Sequence, residues 1–171
     1  MGRRVFFSFH YQQDLERAIQ VRDSWRSSGE ANMFLDPDSW EAIERQGPDA
    51  IEGWIARQMD DTSVTVVLIG EHTANRRYVK FEIEKSLNEG KGLFGIYIDG
   101  IRDSKGQTSA RGGNPLDGFT AGIPERIFGP LRGWLIARRM DSVFRTYDWV
   151  RDGGEGHLAE WVEEAARTVG L

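Results

Sequence analysis

The run Ser63-Val64-Thr65-Val66-Val67-Leu68-Ile69 is β-branched or apolar at nearly every position and lacks the alternation of a strand that faces water on one side. It predicts a strand covered on both faces at the centre of a parallel sheet, which commits the chain to helices above and below that sheet. Four further segments read as strands: Val5 to Phe9, Ala31 to Leu35, Leu93 to Ile98 and Val143 to Trp149. Between them apolar residues recur at helical spacing. Leu15, Ala18, Ile19, Arg22 and Trp25 form one stripe, stopping near Gly29, and Ile51, Trp54, Ile55 and Met59 form a second. Val79, Ile83 and Leu87 mark a third helix from about Tyr78 to Glu89, with Gly90 just past its end. A last stripe runs from Leu158 to Val169. Strands alternating with helices predict one doubly wound, flavodoxin-like α/β domain over residues 1–171, with five parallel strands and helices on both faces. Asp36-Pro37-Asp38 reads as a turn, and 99–122, rich in Gly, Ser, Asn and Pro, as a long loop of the functional or mobile kind. The segment 123–140 has no pattern that assigns it.

Charge narrows the partners. With 22 Lys plus Arg against 27 Asp plus Glu, the net charge is −5, opposite to what sequence-independent nucleic-acid binding or an anionic membrane would need. The chain has no cysteine, and His10, His72 and His157 are widely spaced, so neither a thiolate nor a histidine metal cluster is expected. The apolar run after Arg3 and Arg4 is too short for a signal-peptide core or a membrane span, and Phe6 stands where myristoylation would want Ser or Thr. The expected location is the cytoplasm.

In an open parallel sheet, ligands bind beyond the carboxyl ends of the strands, which directs attention to Ser8 to Tyr11, Asp36 to Trp40, Gly70 to Arg77 and the loop from Asp99. The G-x-G-x-x-A match at 154–159 opens the last helix, so no second strand follows to complete a dinucleotide fold. A response regulator would need acidic residues after the first strand and an aspartate after the third, and Ser8-Phe9-His10-Tyr11 and Gly70-Glu71 supply neither. Arg132, Arg138, Arg139 and Arg145 read as a solvated basic face rather than as phosphate ligands. Tyr78 and Glu82, four apart, share a face near a helix start. Glu82 lies about 100° from Ile83, at the margin of the apolar stripe, where a partly desolvated carboxyl can do acid or base work or hold a ribose diol. An exposed glutamate paired with Lys80 or Lys85 fits the same spacing.

Three segments taken together, 5–11, 62–70 and 75–83, resemble the TIR-like proteins of bacterial Thoeris antiphage systems, the ThsB family. The similarity continues through Lys85-Ser86, Gly95 to Ile98 and Gly113 to Asp117, covers roughly residues 4–120 and weakens beyond. It implies a TIR fold and an enzyme that takes NAD as substrate rather than as a resident cofactor. The implied reaction cleaves the nicotinamide glycosidic bond and cyclises ADP-ribose to a messenger that activates a separate effector protein; homo-oligomerisation is a further implied association. Carried over by motif, Glu82 is the catalytic glutamate, and Tyr78 stands where relatives often have Trp, keeping an aromatic face of smaller area. Phe7, Ser8 and His10 fall at the pocket floor, Tyr11 and Arg77 join the substrate-binding residues, and Asp36 and Trp40 lie in the loop after the second strand that borders the pocket and mediates assembly. Phe7, Phe9, Tyr11, Tyr78 and Phe81 offer a dry wall, with one of Phe7 and Phe9 read as core. Two other activities fit the same family: hydrolysis of NAD to linear ADP-ribose, and a non-catalytic adaptor acting by self-association.

Overall fold

The computed structural model describes residues 3–26, 37–119 and 144–171. Its strands are β1 (Val5–Ser8), β2 (Val64–Ile69), β3 (Gly92–Tyr97) and β4 (Thr146–Asp148). Its helices are α1 (Tyr11–Arg26), α2 (Pro37–Glu44), α3 (Pro48–Met59), α4 (Arg77–Asn88) and α5 (Gly154–Thr168). Short 3-10 turns occupy Thr73–Asn75 and Pro115–Phe119. The strands lie side by side in the order β1-β2-β3-β4, every pair parallel. This is a TIR-like parallel sheet with four strands among the described residues; the expected strand at 31–35 lies outside them.

The β2 run behaves as its composition requires, all six residues being buried. Val64, Val66 and Leu68 join Val5, Phe7, Ala18, Val21, Leu158 and Val162 in a core between the sheet, α1 and α5. Val67 and Ile69 point the other way, onto Val79, Ile83 and Leu87 of α4. Next to that cluster, Phe6 packs with Trp40, Ile51, Ile55 and Met59 under α2 and α3. Alternation along the strands therefore sorts neighbouring residues onto two different helical layers.

Two boundaries depart from expectation, and the long loop proves to be anchored. Pro37 does not sit in a turn but opens α2, because a proline's missing N–H and fixed φ suit the first position of a helix. The last strand shrinks to three residues because the Asp148 carboxylate accepts bonds from the N–H groups of Val150 and Arg151 at 3.1 and 2.9 Å, folding the backbone into a turn. The long loop after β3 is fastened from beneath: the buried Arg17 donates to the Ile101 carbonyl at 2.9 Å and the Gln107 carbonyl at 3.1 Å, and lies 3.7 Å from Asp103. Helix α4 ends as predicted, with Gly90 at φ 67° and the N–H of Lys91 bonded to the Ser86 carbonyl at 3.0 Å, the pattern of a left-handed helix cap. The Gly154 motif is a helix start packed against the Trp149 ring. No helix among the described residues is long and apolar enough to cross a membrane.

α5 lies so close to β3 that a Cβ on Gly92 would sit 2.8 Å from the Ala165 backbone carbonyl. Backbone cannot swing aside as a side-chain tip can, so Gly92→Ala is expected to cost about 1–3 kcal/mol, read as a lower denaturant midpoint at unchanged m-value.

Candidate active site

Glu82 projects from the second turn of α4 toward the carboxyl end of β1, where the residue is only 6% exposed. The Ser8 hydroxyl, at the last residue of β1, donates to Glu82 Oε2. Burial pushes the Glu82 carboxyl up to about 8 from an ordinary 4.5, and the Ser8 bond offsets only part of that. The alternative of an exposed, lysine-paired glutamate is thereby excluded: Lys85 pairs with Glu89 and Lys80 is exposed on another face. Below Glu82, Ser86 Oγ lies 2.7 Å from both the Glu82 carbonyl and Thr65 Oγ1, tying this stretch of α4 to the central strand.

A cleft of about 430 Å³, counting its open side, adjoins the carboxyl. Its walls are mostly rings. Tyr11 stacks on Trp40 with centroids 5.3 Å apart and planes 26° from parallel, and Trp40 meets Tyr78 edge-on at 6.1 Å. Tyr11 begins α1, Trp40 sits in α2 and Tyr78 in the first turn of α4, so three elements converge on the end of β1. His10 closes another part of the cleft. Burial, with the nearby positive charge of Arg76 and with His72, holds its imidazole below the ordinary 6.5, the Gln13 side chain acting the other way. The residue is 6% exposed, and among the described residues neither ring nitrogen makes a hydrogen bond of normal length. Trp40 Nε1 is likewise buried and unbonded. Native proteins rarely strand buried donors, and a group of them around one cleft marks a place for a polar ligand.

The structure thus gathers Ser8, His10, Tyr11, Trp40, Tyr78 and Glu82 at one site. Asp36 lies outside the described residues. Arg77 is not brought in: its guanidinium is held by Glu52 of α3 at 2.8 Å, and the arginine that lines the cleft is its neighbour Arg76. Phe7 borders the cleft but is 3% exposed and belongs to the core on the α1 side, whereas Phe6 shares the Ser8 face and packs against Trp40. Phe9 borders the cleft with Phe7, and the period of two could have found Phe6, since a pocket that takes Ser8 also takes the residue two before it on the same strand face. Nothing in the local sequence separates Arg76 from Arg77, because Glu52, on another helix, is what holds Arg77 away from the cleft.

A parallel sheet wrapped on both faces, with a buried carboxyl in an aromatic cleft at the strand ends, defines a TIR-like domain. The family model for the Thoeris protein ThsB, TIR-like domain, matches residues 6–103. A protein of Bacillus cereus (strain MSX-D12) named "Putative cyclic ADP-D-ribose synthase ThsB1" is 34% identical over 193 aligned positions, covering 95% of this chain and all of the relative. The chain belongs to the Thoeris ThsB family of TIR-like proteins.

Proposed function

We propose that this chain cleaves the nicotinamide glycosidic bond of NAD and cyclises the remaining ADP-ribose into a messenger for a separate effector. The observation that carries this reading is the Glu82 carboxyl, buried and bonded to Ser8 beside a cleft walled by Tyr11, Trp40 and Tyr78. The name of the relative, "Putative cyclic ADP-D-ribose synthase ThsB1", supports the same chemistry.

Nicotinamide leaves as a neutral ring, taking the electron pair of the glycosidic bond, and positive charge develops at the ribose anomeric carbon and ring oxygen. An ionised Glu82 beside that carbon holds the ribose hydroxyls and offsets the charge, as carboxylates do in glycoside hydrolysis. The aromatic walls give the leaving ring and the adenine faces to stack on and keep water from the cation. A nucleophile within ADP-ribose then bonds to the anomeric carbon and any proton it carried passes to solvent, giving an isomer one water lighter than linear ADP-ribose. Exclusion of water favours this closure over hydrolysis, since the internal nucleophile is already held nearby.

Mass spectrometry of the purified chain incubated with NAD, with and without lysate of phage-infected cells, is expected to show nicotinamide and the lighter product. Linear ADP-ribose alone would establish a hydrolase. No nicotinamide under either condition, with no thermal protection by NAD, would favour the adaptor.

A further inference from the structure

Two polar groups at the cleft stand without an ion pair or a hydrogen bond of normal length among the described residues. Arg76 is exposed and lines the cleft, and no carboxylate comes within ion-pair distance of it, whereas its neighbour is held by Glu52. An unpaired surface arginine is ordinary, but this one lies close enough to the buried His10 for its charge to depress the imidazole. His10 itself is 6% exposed, and although the Gln13 side chain lies near it, neither ring nitrogen makes a hydrogen bond of normal length among the described residues. Between them begins α4, a twelve-residue helix whose N-cap residue, Arg76, makes no side-chain cap and whose first turn holds no acidic residue. Its leading N–H groups and the positive end of its dipole are left facing an uncompensated site.

We infer that Arg76, His10 and the first turn of α4 form an anion subsite that takes the diphosphate of the dinucleotide. The inference rests on the NAD reading and adds to it the group that anchors the substrate's centre. Spacing agrees: Arg76 and Glu82 are six positions apart, about 9 Å along a helix axis at about 1.5 Å per residue, comparable to the reach from a ribose diol to its 5′ phosphates. Arg76 supplies a planar fork to phosphate oxygens, His10 a ring N–H and the helix its backbone donors. Diphosphate held there fixes the nicotinamide ribose over Glu82.

The test is calorimetric titration of inorganic pyrophosphate and of ADP-ribose into the full chain and three variants. Arg76→Ala is expected to weaken both ligands about tenfold, as loss of a charge-assisted contact does, and His10→Phe, which keeps a ring but no nitrogens, about threefold or more. Arg77→Ala is expected to change them less than twofold. Equal affinity in the parent and Arg76→Ala, or a loss that follows Arg77 instead, overturns the subsite. Kinetics separates this from the NAD reading. If the parent releases nicotinamide from NAD and Arg76→Ala does so with unchanged KM, the subsite fails and the activity stands. If Arg76→Ala raises KM for NAD about tenfold and leaves turnover of nicotinamide riboside, which has no phosphate, untouched, both stand. If NAD is never cleaved while pyrophosphate affinity still falls with Arg76, the subsite stands and the reaction is wrong.

Discussion

Glu82→Gln is expected to lower nicotinamide release from NAD on the order of 10³-fold while leaving the fold and NAD binding intact. The side chain keeps its length and its bond to Ser8, because an amide oxygen accepts from the hydroxyl as the carboxyl does. What it loses is the ability to become negative beside the developing ribose cation. That interaction is stronger in the transition state than in the ground state, so the loss should fall on kcat rather than KM. The measurement is steady-state nicotinamide release, paired with thermal shifts on adding NAD: a variant that binds as tightly as the parent and turns over slowly supports the role. Glu82→Gln that releases nicotinamide at the parental rate removes Glu82 from the chemistry.

Activity and stability are expected to move in opposite directions with pH. Burial holds the Glu82 carboxyl near 8, so in the free protein at neutral pH most of it is protonated. Only the ionised form offsets a cation, so log kcat/KM for NAD should climb with nearly unit slope from about pH 6 and level off above about 8, roughly a hundredfold in all. Stability runs the other way. A carboxyl whose folded value lies above its unfolded 4.5 contributes stability that is fully present below about 4.5 and lost as pH rises through 8, on the order of 4 kcal/mol across that window. Asp14, raised by burial to about 6 from 3.8 against the pull of Arg17, adds a smaller loss between about 4 and 6. Denaturant melts at pH 5 and pH 8.5 check this: the parent should weaken, and Glu82→Gln, with nothing to titrate at that position, should weaken much less. Ser8→Ala removes the one bond that lowers the carboxyl, so its kcat/KM profile should shift to higher pH with the plateau retained. A shift to lower pH would contradict the assignment of Ser8 as the residue that tunes Glu82.

Much of the fold was legible because burial on both faces leaves a plain compositional trace. The run at 63–69 specified a central strand, and the stripe of Val79, Ile83 and Leu87 specified the face α4 presents to it. Weak points were places where a single residue decides a boundary: Asp148 turning the chain after three strand residues through its side-chain bonds, or Pro37 opening a helix through its fixed backbone. At the site, spacing put Tyr78 and Glu82 on one helix face without choosing between a cleft and an exposed ion pair, and the resemblance to the family singled them out; the strand end pointed to Ser8. The depth of Glu82 was not, because periodicity put it at the stripe's margin and only the convergence of β1 with α4 closes it off. The choice between Arg76 and Arg77 rests on Glu52 of α3, 24 positions before Arg76 in the chain and invisible in the local pattern.

The cleft's role turns on contact between Glu82 and a ribose, and a crystal structure of the chain with a non-cleavable NAD analogue measures that contact. The expected result is the nicotinamide ribose hydroxyls within hydrogen-bond distance of the Glu82 carboxyl, with an aromatic ring of the ligand against Trp40 or Tyr78. An analogue bound elsewhere, with Glu82 still joined only to Ser8 and the cleft unchanged, would contradict it.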